Sequence, residues 1–303
     1  MSKLINFHEE PVRSILKNLL LDMTTGENII FATDSYTGNP RDKITVQYLI
    51  ETPSAIEICP RVEKDRDIQN ARTRKKAEVF TPSWICNKMN NHCDSEWFGR
   101  DNVFNIENNQ EWTVTREKIL FTQGRKWQDY VSSKRLEITC GEAPYIVSRY
   151  DAATGEIIDV NNRIGILDRK LRVITENTNT EKEWIKWVYK AYQSVYGFEF
   201  QGDNLLIARV NLILTFCDYI NYVWEREATI SELKKLTKIV VWNFWQMDGI
   251  TGTVPFGKPC EEYYQISFWD YEQGINDTEP EQMDCKIYDW VNKEEVTYRS
   301  IKG

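Results

Sequence analysis

Apolar and polar positions alternate in ways that change along the chain. Over Val12–Met23 the apolar residues fall at helical spacing, with Ile15, Leu16, Leu19 and Leu20 on one stripe. A turn at Thr24-Thr25-Gly26 follows, then short strand-like runs at 28–32, 44–50 and 55–59. Together these predict a small α+β module over residues 1–70. Thr81 or Ser83 can cap a helix carrying Trp84, Ile85 and Met89. Residues 100–134 are polar and irregular until a helical piece at 127–131. The run 135–143 predicts a buried strand ending in a tight turn. An amphipathic helix over 181–195 carries Trp184, Trp187 and Tyr192, and a strand over 194–200 ends at Glu199.

The strongest helical pattern is Asp203–Val223, with an Asp cap and Leu206, Val210, Ile213, Leu214 and Cys217 on one stripe. A short helix capped by Ser231 and a strand at 239–242 come next. After Phe256 three strand candidates, 265–269, 285–290 and 295–301, have no useful helix between them. They predict an antiparallel extension over 261–303 instead of further βαβ units. Trp184, Trp187, Trp242 and Trp245 have the spacing of core residues, which outweighs a base pocket.

Composition narrows the function classes. The 303 residues are 41% hydrophobic and 13% aromatic, which excludes global disorder. A net charge of −8 excludes a globally basic nucleic-acid binder and leaves room only for a local patch. Arg72, Arg74, Lys75 and Lys76 form such a run. The N-terminal residues have no apolar signal core, and no run of eighteen apolar residues suggests a membrane span. Seven irregularly spaced Cys read as reduced thiols of a cytoplasmic protein. Cys86, His92 and Cys93 sketch a metal corner, but no second ligand pair follows, so no metal is expected.

Candidate chemistry centres on the strand–turn at 136–143. A strand running into a Gly turn lets backbone approach a ligand closely, and an acidic strand end offers a carboxylate to ribose hydroxyls. Gly141 and Glu199 fit those two roles.

Three segments in order carry a family resemblance. They are Phe80-Thr81-Pro82, then Leu136-Glu137-Ile138-Thr139-Cys140-Gly141-Glu142-Ala143-Pro144, then Gly197-Phe198-Glu199-Phe200 with Asp203 and Ala208-Arg209. Over roughly residues 70–260 the chain resembles the amino-group (adenine-N6) DNA methyltransferases of the restriction–modification M-subunit type. The resemblance implies a Rossmann-like α/β sheet, incomplete here, over residues 71–260, with an insertion at about 145–180. It implies S-adenosylmethionine as cofactor, held by Phe80, Thr81, Pro82, Thr139, Cys140, Gly141 and Glu199. It implies DNA as a partner through the local patch, beside a recognition or restriction subunit, and no membrane.

The departures weigh equally. Ile138 replaces the Pro of the first strand motif, and Ala143 replaces its second Gly, adding a methyl where a cofactor should come close. The stretch 151–180 widens the gap between Gly141 and Glu199, as an insertion, a lid or a partner surface. The family's catalytic Asn/Asp/Ser-Pro-Pro-aromatic is absent. Its nearest counterpart is Thr253-Val254-Pro255-Phe256, which makes Thr253, Pro255 and Phe256 the candidate catalytic residues. Phe256 would stack on a flipped base. In a rival alignment Asp248 is a cofactor-binding acid that contacts the adenine of S-adenosylmethionine at a third strand end, and 253–256 is a loop without a fourth strand. The expectation is a methyltransferase-like protein of a DNA modification or restriction system with impaired or lost catalysis. The alternative is an active adenine-N6 methyltransferase using Thr-Val-Pro-Phe.

Overall fold

The computed structural model describes residues 4–52, 55–64, 66–76, 81–122, 124–259 and 283–302. The fold is mixed α/β. Its centre is a parallel three-stranded sheet of β3 (Arg135–Glu137), β4 (Val195–Glu199) and β5 (Phe244–Gln246), in that spatial order. The register pairs Glu137 with Gly197 and Glu199 with Gln246, so all three strands end on one side.

Parallel neighbours need long crossovers, and here each contains two helices. Between β3 and β4 run α5 (Ile166–Asn177) and α6 (Glu181–Tyr192). Between β4 and β5 run α7 (Gly202–Trp224) and α8 (Ile230–Asn243). The rest comprises α1 (Val12–Leu19), α2 (Arg66–Lys76), α3 (Ser83–Phe98), the hairpin β1 (Asn105–Asn108) and β2 (Glu111–Val114), and α4 (Trp127–Ser132). The hairpin β6 (Lys286–Asp289) and β7 (Glu294–Thr297) follows with α9 (Tyr298–Lys302).

Alternation along the strands covers both sheet faces. Val195 and Phe244 join the main core with α1, α6, α7 and α8. Phe198 and Trp245 face the other way and pack with Met247, Cys285 and Ile287, so the antiparallel C-terminal hairpin seals that face. Trp184, Trp242 and Trp245 are buried, as their spacing predicts. α7 is long and apolar enough to cross a membrane by length and composition, and it is mostly buried in the core.

Several elements differ from the sequence expectation. The expected strand at 239–242 lies inside α8. A capping box between Thr229 and Glu232, not Ser231, starts that helix. Leu233, Leu236 and Val240 then continue an apolar stripe that overrides the strand preference of the β-branched run. The helix stops at Asn243, whose amide donates to the carbonyls of Tyr192 and Val195, both 2.9 Å away.

Residues 28–59 form isolated bridges (Leu21 with Asn28, Ile30 with Lys43) and a short π-type helix Gln47–Glu51 in place of the three strands. The backbone of Ile30 is bound instead by the Gln246 side chain, which accepts at 2.9 Å and donates at 2.8 Å. Ile15, Leu19, Ile29 and Phe31 accordingly share the core with α7 and α8. The stretch 151–180 contributes α5, whose Leu167, Leu171, Val173 and Ile174 are core residues. The strand β3 is not buried as expected. Leu136 is 47% exposed and Ile138 65% exposed, because among the described residues nothing pairs with the second edge of β3. The expected strand at 265–269 lies outside the described residues.

Candidate functional site

The loop after β3 turns sharply. Thr139, Gly141 and Ala143 have φ of 49°, 53° and 63°, alternating with ordinary residues. Glycine takes that conformation freely and the other two at a cost. The turns separate the side chains by direction. Cys140 and Ala143 point into the core, while Thr139 is exposed. The Ala143 methyl therefore packs inside and does not crowd the outer face, contrary to the sequence expectation. Cys140 offers its backbone, which donates to the Phe198 carbonyl at 2.8 Å, and burial holds its thiol well above the usual range.

Glu199 closes the loop from the neighbouring strand. Its Oε2 accepts from the Gly141 N–H at 2.9 Å, and its Oε1 accepts from the Gln201 N–H at 3.1 Å. The predicted pair is thus brought together across 58 residues of sequence.

A second carboxylate in this region is Glu137, at the end of β3. Its Oε1 meets the Tyr145 N–H at 3.4 Å, and its Oε2 is buried without a hydrogen-bond partner. Burial raises its pKa well above the ordinary range. Backbone N–H groups of Tyr145 and Ile146 oppose that, and the charge of Glu199 adds to it. A carboxylate with one oxygen buried and unpartnered costs free energy in the folded state and is the kind of perturbed group that functional sites contain. Its signal in the sequence is the acid of Leu136-Glu137 at the strand's end.

The start of α3 packs against the same loop. The Tyr145 hydroxyl lies beside Thr81 and donates to the Met89 sulfur at 3.4 Å. Neither Thr81 nor Ser83 caps α3 with its side chain. The cap comes from Asp151, whose Oδ2 accepts from the Ser83 N–H at 2.6 Å. Burial alone would raise the Asp151 carboxyl, but hydrogen bonds from Ser83, Thr154 and Ala153 hold it below its usual range. Pro82 occupies the N-cap position, and Phe80 lies outside the described residues.

Asp248 follows β5 by two residues and accepts from the Ile250 N–H at 2.8 Å and the Thr251 N–H at 3.3 Å. Since β5 pairs with β4, Asp248 follows the third strand of the sheet. Thr253 does not present its hydroxyl to the surface. It is fully buried and bonds Thr251 at 2.7 Å and the carbonyls of Val254 and Gly257. Pro255 is buried too. Phe256 is half-buried with φ of 63°, a strained value for an aromatic residue. Its ring lies 5.5 Å from that of Phe200, next to Glu199, and 4.8 Å from the Arg41 guanidinium.

The basic run divides. Arg72 is not a surface cation but turns inward to Asp203 at 2.9 Å and Gln201 at 2.7 Å. Lys64 and the Tyr36 hydroxyl complete that cluster at 3.2 and 2.8 Å. Asp203 therefore receives these cations in the first turn of α7 and is not its cap. Although burial alone would raise it, the Asp203 carboxyl is drawn down to about 2 by Lys64 and Arg72. A buried arginine beside a buried carboxylate cannot also bind phosphate. Arg74 is exposed, and Lys75 and Lys76 lie in α2. Among the described residues no group of three His, Cys, Asp or Glu could hold a metal. No family model, curated protein or solved structure matches this chain.

Proposed function

We propose that the chain is a methyltransferase-like protein of a DNA modification or restriction system, holding S-adenosylmethionine at the carboxyl ends of β3 and β4 with catalysis impaired or lost. The observation that carries this reading is the Glu199–Gly141 hydrogen bond, which puts a tight Gly loop and an acidic strand end at one place. The order β3-β4-β5 supports it, since it equals the first half of a doubly wound sheet of order 3-2-1-4-5-6. Such sheets bind nucleotides outside the strand carboxyl ends.

The donor set fits the cofactor. S-adenosylmethionine carries an electrophilic methyl on a cationic sulfonium, together with an ammonium group. Glu137 offers a buried carboxylate with an unpartnered oxygen for positive charge. Glu199 offers acceptors for ribose, and Thr81 with Tyr145 forms the wall at α3.

Impaired transfer follows from the remaining geometry. In the doubly wound order the fourth strand pairs with the first, and the second edge of β3 is unpaired among the described residues. Thr253 follows the third strand, and its hydroxyl is spent inside its own loop. One observation favours the alternative of an active adenine-N6 enzyme. The Phe256 ring stays beside Phe200 at the site, where a flipped base could stack.

Titration calorimetry with S-adenosylmethionine tests the reading. Binding should be measurable and should weaken about tenfold in Glu199→Gln, a loss of ~1.4 kcal/mol. Silence at millimolar cofactor would sink it. Transfer of labelled methyl to DNA, abolished by Phe256→Ala at unchanged cofactor affinity, would select the active alternative.

A further inference from the structure

A deep cleft lies away from the strand ends. It encloses about 1180 Å3 between the β1–β2 hairpin, the segment 151–163, the start of α3, and the helices α5 and α7. Five aromatic residues line it, Trp84, Phe104, Trp112, Tyr219 and Tyr222, of which Phe104 and Tyr219 are buried. The Trp112 ring is fixed by its indole N–H, which donates to the Asn162 carbonyl at 2.9 Å, and Tyr222 is 58% exposed.

Its charges sort into spent and free. The deep arginines are paired: Arg169 with Asp94 at 2.6 Å, Arg163 with Asp218 at 2.6 Å, and Arg172 with Glu176 at 2.7 Å. At the rim Glu111, Glu156 and Asp159 are exposed and have no ion-pair partner among the described residues. Opposing them, Arg116 is the exposed cation of the lining. The free charge is therefore acidic, over aromatic walls. Carboxylates repel a phosphate backbone, whereas carboxylates and ring faces together attract ammonium and guanidinium groups.

We infer that this cleft is a docking site for a lysine- or arginine-bearing polypeptide segment of a partner protein. It does not depend on the cofactor reading. Cation–aromatic contact with Trp84, Trp112 and Tyr222 supplies affinity, and the rim carboxylates supply selection and salt sensitivity.

Fluorescence anisotropy on the full chain tests it. The probes are a short labelled peptide of alternating Arg and Gly, and a single-stranded oligonucleotide of the same length. The peptide should bind, more weakly as salt rises. The double variant Glu111→Gln, Asp159→Asn should weaken it about fivefold, and Tyr222→Ala by a similar factor. These side chains are exposed, so folding is not at stake. Because the protein is acidic overall, the control removes two carboxylates from β7, Glu294→Gln with Glu295→Gln, and should change affinity less than twofold. Equal loss in the cleft and β7 variants overturns the inference. So does tighter binding of the oligonucleotide, or no binding of the peptide.

Discussion

The Glu199 carboxylate accepts the backbone N–H of Gly141 at 2.9 Å and so ties the end of β4 to the loop after β3. The neighbouring N–H groups find backbone acceptors, Cys140 at the Phe198 carbonyl and Ala143 at the Cys140 carbonyl, and the Glu199 side chain supplies the acceptor for Gly141.

Removing that acceptor should loosen the loop. Glu199→Ala leaves the N–H groups of Gly141 and Gln201 without it, at a cost of about 1–3 kcal/mol. Glu199→Gln keeps one oxygen acceptor and should cost less. Urea unfolding of the two variants measures the difference, and identical midpoints would exclude the bond as a support of the loop.

Asp203 predicts an acid-labile clamp. Its folded pKa of about 2 lies below the ordinary value of 3.8, so between them the native state binds fewer protons than the unfolded chain. The stabilisation is complete above the ordinary value and is lost as the pH falls through the folded one. It amounts to roughly 2 kcal/mol by linkage. Asp203→Asn should be less stable at neutral pH and should lack this part of the acid limb. Parallel stability–pH curves for the two proteins would contradict the clamp.

Glu137 predicts the opposite slope. Burial raises its pKa, so its cost to folding is absent below the unfolded value of 4.5 and grows as the pH rises toward the folded value. Glu137→Gln should therefore raise the melting temperature at neutral pH and lose that advantage in acid. Under the proposed function the same variant binds S-adenosylmethionine about tenfold more weakly. Stability gained while affinity is lost is the pattern of a functional carboxylate. A variant that is less stable at neutral pH would count against the buried, unpaired state.

Gly202 holds the N-terminal segment against α7. A Cβ there would stand 2.0 Å from the Ile30 carbonyl oxygen, a backbone atom that cannot rotate aside. Gly202→Ala should destabilise by about 1–3 kcal/mol through overpacking. Thermal unfolding reads the change, and an unshifted transition would mean that the Ile30 segment yields freely.

Elements whose evidence is local are legible in the chain alone. The stripe of α1, the long run of α7, the strand ending at Glu199 and the antiparallel pairing of β6 with β7 follow from periodicity, whereas the strand expected over 295–301 ends at Thr297 and gives way to the helix Tyr298–Lys302. Only the tertiary structure decided what depends on distant partners. The run Ile239–Trp242 is compatible with strand or helix, and the Thr229–Glu232 box with the core settles it as helix. Arg72 resembles any surface arginine until Asp203, 131 residues away, is folded beside it. Asp151 caps a helix that begins 68 residues earlier. Ala143 takes a positive φ and buries its methyl in the core, which its residue type does not announce. The pairing of β5 with β4 places Asp248 two residues beyond a third strand. In each case the deciding force is a hydrogen bond, an ion pair or a packing contact between segments far apart in the chain, to which periodicity is blind.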